Sequence, residues 1–191
     1  EQWEADGTIN RYSKKEQSSI NREKRKLLRN LGGLRTMDRL SIRYDLLPKE
    51  SDILAHGFWQ HAFARLQGLA AVDPIEGGKN AGCWVMDLPG VEEGAGEDQK
   101  IIVRSDGTVT YVGKDIAYQL WKFGLLGEDF LYGVWQEEGV WETMPEGQGV
   151  AEHPAFGGGQ RVINAIDARQ SYLQKIVRAG LQGLGHKEEA E

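Results

Sequence analysis

Apolar residues recur at spacings of three and four in Ile53, Leu54, Phe58, Trp59, Ala62, Phe63, Leu66 and Leu69. That period predicts an amphipathic helix opened by Ser51, with one face committed to a core. After Gly77-Gly78 the period shortens towards two, and Cys83 to Met86, Ile101 to Val103 and Thr108 to Val112 read as strands. Asp106-Gly107 between the last two runs is a hairpin signal, since both turn positions need positive φ. Helical spacing resumes at Ile116, Leu120, Trp121 and Leu125 and stops at Gly124 and Gly127. Residues 128–160 scatter aromatics among glycines and prolines, the pattern of short strands and loops lying on the surface of a larger body. Arg161 to Ile166 reads as a buried strand, and Ala168 to Leu184 as an amphipathic helix carrying Tyr172, Leu173, Ile176, Val177, Leu181 and Leu184. Strand, tight corner and helix together make the half-unit of a parallel α/β sheet.

Upstream, Ser13 to about Leu31 is rich in Lys, Glu, Arg and Leu, with Ser13 and Glu16 at capping-box spacing and Gly32-Gly33 as the expected break. A second short helix through Leu34, Met37 and Leu40 runs into an extended segment at 42–47 that Pro48 ends. The predicted organisation is therefore a basic helical segment at 1–50 and an α/β body at 51–191, with an inserted segment at about 128–160.

With 191 residues the chain can bury a substantial core. Glycine, at 25 residues, is well above the usual share of about 7% and implies many turns. The single cysteine, Cys83, excludes an internal disulfide framework and a thiolate-rich zinc cluster, and fits a reducing compartment. No apolar run approaches the roughly 18 residues of a membrane helix. The net charge of −6 conceals an uneven distribution: Arg11 to Arg43 holds eleven Lys or Arg against three acids. Such a block is either a solvated helical face or a surface that meets phosphates.

Four histidines are too scattered for a metal site, His56 and His61 lying five apart. Neither a phosphate loop, nor a Gly-x-Gly-x-x-Gly fingerprint, nor a Gly-x-Ser-x-Gly elbow is present. Polar candidates sit at element junctions. Tyr111 and Asp115 are four apart, and with a helix starting near Gly113 the acid would lie in its first turn, facing free N–H groups. A helix-start acid beside a core aromatic fits the same spacing. Asp167, Arg169 and Gln170 follow the predicted strand, where ligands of α/β sheets bind, or else Asp167 caps the next helix. Glu50-Ser51 after Pro48 has the same two readings, and if Ser51 caps, Glu50 is free.

At these residues the sequence resembles the catalytic domain of arginyl-tRNA synthetases, which are class I aminoacyl-tRNA synthetases. Three blocks carry the likeness in order: Leu40-Ser41-Ile42-Arg43-Tyr44-Asp45 leading to Glu50-Ser51, Val103 to Ala117 with its Ser-Asp-Gly before Tyr-x-x-x-Asp, and Val162 to Gln170. The resemblance implies a partial Rossmann-like α/β catalytic domain with a helical N-terminal segment and inserted β-hairpins. It implies ATP-dependent activation of L-arginine and transfer to tRNA, in the cytoplasm and away from membranes. ATP is then a substrate, Mg2+ its expected companion, and no metal site is resident in the chain. Carried over by position, Glu50 and Asp115 receive the arginine guanidinium, Tyr111 borders the pocket, and Gln170 lies near the α-amino end.

The family's His-x-Gly-His and Lys-Met-Ser-Lys-like elements do not occur in the 191 residues, and Ser171-Tyr172-Leu173 stands where members often carry a histidine after the glutamine. An opening at Glu1 without methionine adds to the expectation of an excerpt, the central part of such a domain, supplying mainly the arginine pocket and inactive alone. The alternative is a non-catalytic, synthetase-derived module that holds RNA with the Arg11 to Arg43 stretch.

Overall fold

A computed structural model describes residues 32–87, 99–135 and 139–191. The predicted helix at 13–31, and with it most of the basic block, lies outside the described residues. The chain divides into two compact units, Glu1–Asp45 and Leu46–Glu191. In the first, residues 32–39 are helical. Gly32 and Gly33 are helical in it, as glycine costs about 1 kcal/mol in a helix but is not excluded from one; the break they were expected to make after 13–31 lies outside the described residues.

In the second unit the elements run β1 (Leu46–Leu47), α1 (Glu50–Ala55), α2 (Phe58–Gly68), β2 (Asp73–Pro74), β3 (Trp84–Asp87), β4 (Gln99–Val103), α3 (Tyr111–Lys122), β5 (Leu131–Val134), β6 (Trp141–Met144), a 3-10 turn (Ala168–Gln170) and α4 (Ser171–Gly183). Two three-stranded sheets form, ordered β1-β6-β5 and β2-β3-β4. The pairing of β1 with β6 is parallel, and the others are antiparallel.

The periodic run from Ile53 to Leu69 is two helices, not one. Gly57 takes φ +73°, and its N–H donates to Leu54 O (3.1 Å) while the His56 N–H donates to Asp52 O (2.9 Å). This is a glycine-terminated helix end, which only a residue without Cβ adopts cheaply. Beyond it Phe58, Trp59, Ala62 and Leu66 point into the core.

α3 is the centre of the unit. Val112, Ile116, Ala117, Leu120 and Trp121 are buried on it, against α2 on one side and α4 on the other. Two glycines permit the close approach: a Cβ on Gly113 would lie 2.9 Å from the Trp59 ring, and one on Gly180 would lie 2.9 Å from Ile116.

Three expectations are corrected. The chain turns at Asp106-Gly107, with Arg104 N–H donating to Thr108 O, but only Gly107 takes positive φ, at +80°, while the Asp106 side chain accepts from the Thr108 N–H (2.8 Å). The return strand, however, shrinks to one bridge, Val103 to Val109, because α3 starts at Tyr111. Residues 128–160 do not merely lie on a surface: Phe130, Tyr132 and Thr143 are buried. Finally, Arg161 to Ile166 is not a strand. No strand pairs with it among the described residues, and Ile163 is 81% exposed; alternation alone makes no ladder without a neighbour to accept its backbone hydrogen bonds.

Candidate functional site

The first turn of α1 is anchored to β6. The Lys49 N–H donates to Thr143 Oγ1 (2.9 Å), and Lys49 Nζ donates to Thr143 O (2.8 Å) and pairs with Glu142 (2.6 Å). The Thr143 hydroxyl in turn donates to the buried Asp52 (2.6 Å), which also accepts from Ser51 Oγ (3.1 Å). Ser51 therefore bonds its neighbour's carboxylate and caps nothing, and no side chain caps α1. Glu50, between Lys49 and Asp52, is left projecting outward at 65% exposure, ion-paired to Lys114 of α3.

α3 brings its own acid to the same place. Asp115 is half-buried, and burial is the chief reason that its carboxyl sits above the ordinary 3.8. The negative charge of Glu50 pushes in the same direction, while Lys122 and Lys114 oppose it. The two acids, from α1 and α3, thus feel each other. Because α3 starts at Tyr111 and not near Gly113, Asp115 falls beyond the first turn, where the helix dipole does little for an anion. Its environment is set by neighbouring side chains.

Tyr111 is 53% exposed, so it is not the core aromatic that its spacing also allowed. Lys100 Nζ lies 5.9 Å from its ring centre and 5.4 Å from that of Tyr172, within cation–π range. Gln170 occupies the last position of the 3-10 turn. Its Oε1 accepts from the Asp167 N–H (3.4 Å), and Asp167 accepts from the Arg169 N–H (2.9 Å), a reciprocal capping box. The capping reading of Asp167 is the one realised. Lys114 ties Glu50 to the residue next to Asp115; Gln170 is engaged with its own turn.

Several participants were missed from sequence. Lys122, two turns beyond Asp115, donates to Asn164 Oδ1 (2.9 Å) and lies 4.5 Å from the Tyr118 ring centre. Burial lowers the pKa of its ammonium, against the pull of Asp115. Burial likewise pushes the Tyr118 phenol up to about 12. Asn164 Nδ2 donates to Gln174 Oε1 (3.0 Å) and Gln119 Oε1 (3.3 Å). The seven-residue spacing of Asp115 and Lys122 on one helix face was the available signal.

Chemically, the site offers two carboxylates from separate elements, with lysines beside both. Such a pair suits a ligand whose cation is planar and carries several donors. Among the described residues no three His, Cys, Asp or Glu side chains converge on a cation position. Mg2+ is usually held by one or two carboxylates together with substrate phosphates. No helix among the described residues is long and apolar enough to cross a membrane.

No protein-family model matches the chain. An arginine-tRNA ligase of Thermococcus sibiricus is 35% identical over 187 residues, covering 95% of this chain and 29% of that relative. One of Deinococcus radiodurans is 42% identical over 161 residues, covering 83% of this chain and 26% of the relative. Among solved structures, Thermus thermophilus arginyl-tRNA synthetase aligns with a TM-score of 0.68 and 38% identity, over 81% of this chain and 26% of its own. The chain spans less than a third of the length of these relatives. Over that portion it belongs to the arginyl-tRNA synthetase family.

Proposed function

We propose that this chain supplies the arginine pocket of an ATP-dependent arginine-tRNA ligase, with Asp115 and Glu50 receiving the guanidinium. The observation that carries this reading is the ion pair of Lys114 with Glu50, which sets the start of α1 against the residue next to Asp115 and leaves the two acids within electrostatic reach of each other. A guanidinium is planar, permanently charged and has five donors, so two acids from different directions can each take a fork of it. Each charge-assisted bond is worth about 1.5–3 kcal/mol net. A lysine ammonium, a compact point charge, cannot fill both forks.

Tyr111, exposed beside Asp115, borders the pocket. Gln170 takes the α-amino end by giving up its 3.4 Å contact with Asp167, which is at the weak limit of hydrogen bonding. A Rossmann-like sheet goes with this reading, supported by the parallel pairing of β1 with β6. So do ATP, accompanied by Mg2+, and tRNA as the remaining partners, and a cytoplasmic location.

The groups that stabilise charge developing on the α-phosphate are not among the motifs of these 191 residues. The chain alone is therefore expected to turn over no arginyl adenylate. Robust arginine-dependent exchange of pyrophosphate into ATP by the 191 residues would overturn that part. In the full-length protein the same assay tests the pocket. D115N should raise the arginine KM by about 10- to 100-fold, the loss of one such bond, with the ATP KM nearly unaltered. An unchanged arginine KM removes Asp115 from the pocket.

A further inference from the structure

Lys114 stands immediately before Asp115 and reaches across to α1, where its ammonium is ion-paired with Glu50. The side chain of Lys114 is only 19% exposed, whereas that of Glu50 is 65% exposed. The lysine is therefore tucked between helices while the acid remains open to solvent on its outer side. Lys122 is occupied differently: it donates to Asn164 and faces Tyr118. Of the two lysines that temper Asp115, Lys114 alone also holds the second acid. Two carboxylates that repel each other either hold a proton on one of them or are eased by a nearby cation when no ligand supplies one.

On the reading that Glu50 and Asp115 bind the guanidinium, we propose that Lys114 is an internal stand-in for the substrate cation. It neutralises the acid pair in the empty site and must release Glu50 before arginine can engage it. Arginine binding is then an exchange of one cation for another. The site keeps its acids apart and oriented without ligand, and the affinity is set by the difference between two ion pairs. A ligand offering only a point charge gains nothing over Lys114, whereas a guanidinium adds planar, forked hydrogen bonds that the lysine cannot make. Lys114 is in this sense a specificity-determining residue, discriminating by the competitor it presents.

The sign of its removal follows. Without Lys114, Glu50 is free and the site is more negative, and both changes favour an incoming cation. Because Glu50 is largely exposed, the gain is that of a solvent-screened pair, about two- to five-fold in arginine Kd. Calorimetric titration of L-arginine into full-length protein tests this with K114M, K114Q, E50Q and D115N. Tighter binding by both lysine variants, a smaller gain when K114M is combined with E50Q, and weaker binding of L-lysine than of L-arginine throughout are expected. Unchanged or weaker arginine binding in K114M and K114Q, with E50Q and D115N still impaired, overturns the stand-in role while leaving the pocket intact. Unimpaired binding in E50Q and D115N overturns the pocket itself.

Discussion

Asp115 carries opposite consequences for binding and for stability. Its folded carboxyl is raised by burial and by Glu50. Above both the folded and unfolded values, the ionised group is less favourable in the folded protein than in the open chain, and that cost disappears as pH falls through the folded value. D115N should therefore raise Tm at neutral pH while arginine affinity collapses, a trade-off visible by thermal denaturation beside a binding assay. For the unaltered protein, arginine affinity should fall on acidification beginning above the usual carboxylate range, since a protonated Asp115 no longer pairs with a cation. A Kd that holds constant down to pH 4 would contradict the role of this acid.

Thr143 is a different kind of residue. Its hydroxyl joins β6 to the buried Asp52 and to the backbone of Lys49. T143V should cost about 1–3 kcal/mol by chemical denaturation, because a buried carboxylate loses a partner, and it should loosen the seat of Glu50. Asp115 and Tyr111 were legible in sequence because a local motif frames them. Lys114 and Lys122 were not, because a lysine beside an acid on a helix looks solvated until the neighbouring helix is in place.

At the scale of elements, the helices were legible and the strands less so. α2, α3 and α4 each carry a face whose period survives in the sequence. The split between α1 and α2 was hidden because the apolar spacing runs through it, although Gly57 marked the place. The segment at 161–166 failed as a strand for the reverse reason: its alternation is genuine, but pairing depends on a neighbour that alternation cannot supply. Helix contacts through glycine were also invisible, being properties of two elements at once. Gly113 shows the consequence. Alanine would gain about 1 kcal/mol of helix propensity, yet its Cβ would meet Trp59 and Val109 at 2.9 Å, and overpacking of that kind costs about 1–3 kcal/mol. G113A should be net destabilising in urea denaturation, whereas a gain in stability would mean that α2 and α3 can separate without penalty.

For the whole molecule, α3 is both the packing centre and the carrier of the proposed pocket. One side of the helix builds the core through Ile116 and Leu120, while Lys114 reaches Glu50 at the start of α1 with Asp115 next to it in sequence. Errors in the core therefore propagate to the acids. The chain matches a portion of relatives three to four times its length, and the proposed pocket lies in that portion. The most direct measurement is a paired calorimetric titration of the full-length protein with L-arginine and L-citrulline, which differ in replacing a charged guanidinium by a neutral urea. Binding of arginine at least about 100-fold tighter than citrulline, as loss of two charge-assisted contacts requires, is the expected result. Equal affinities would contradict an acid pair built to hold a guanidinium.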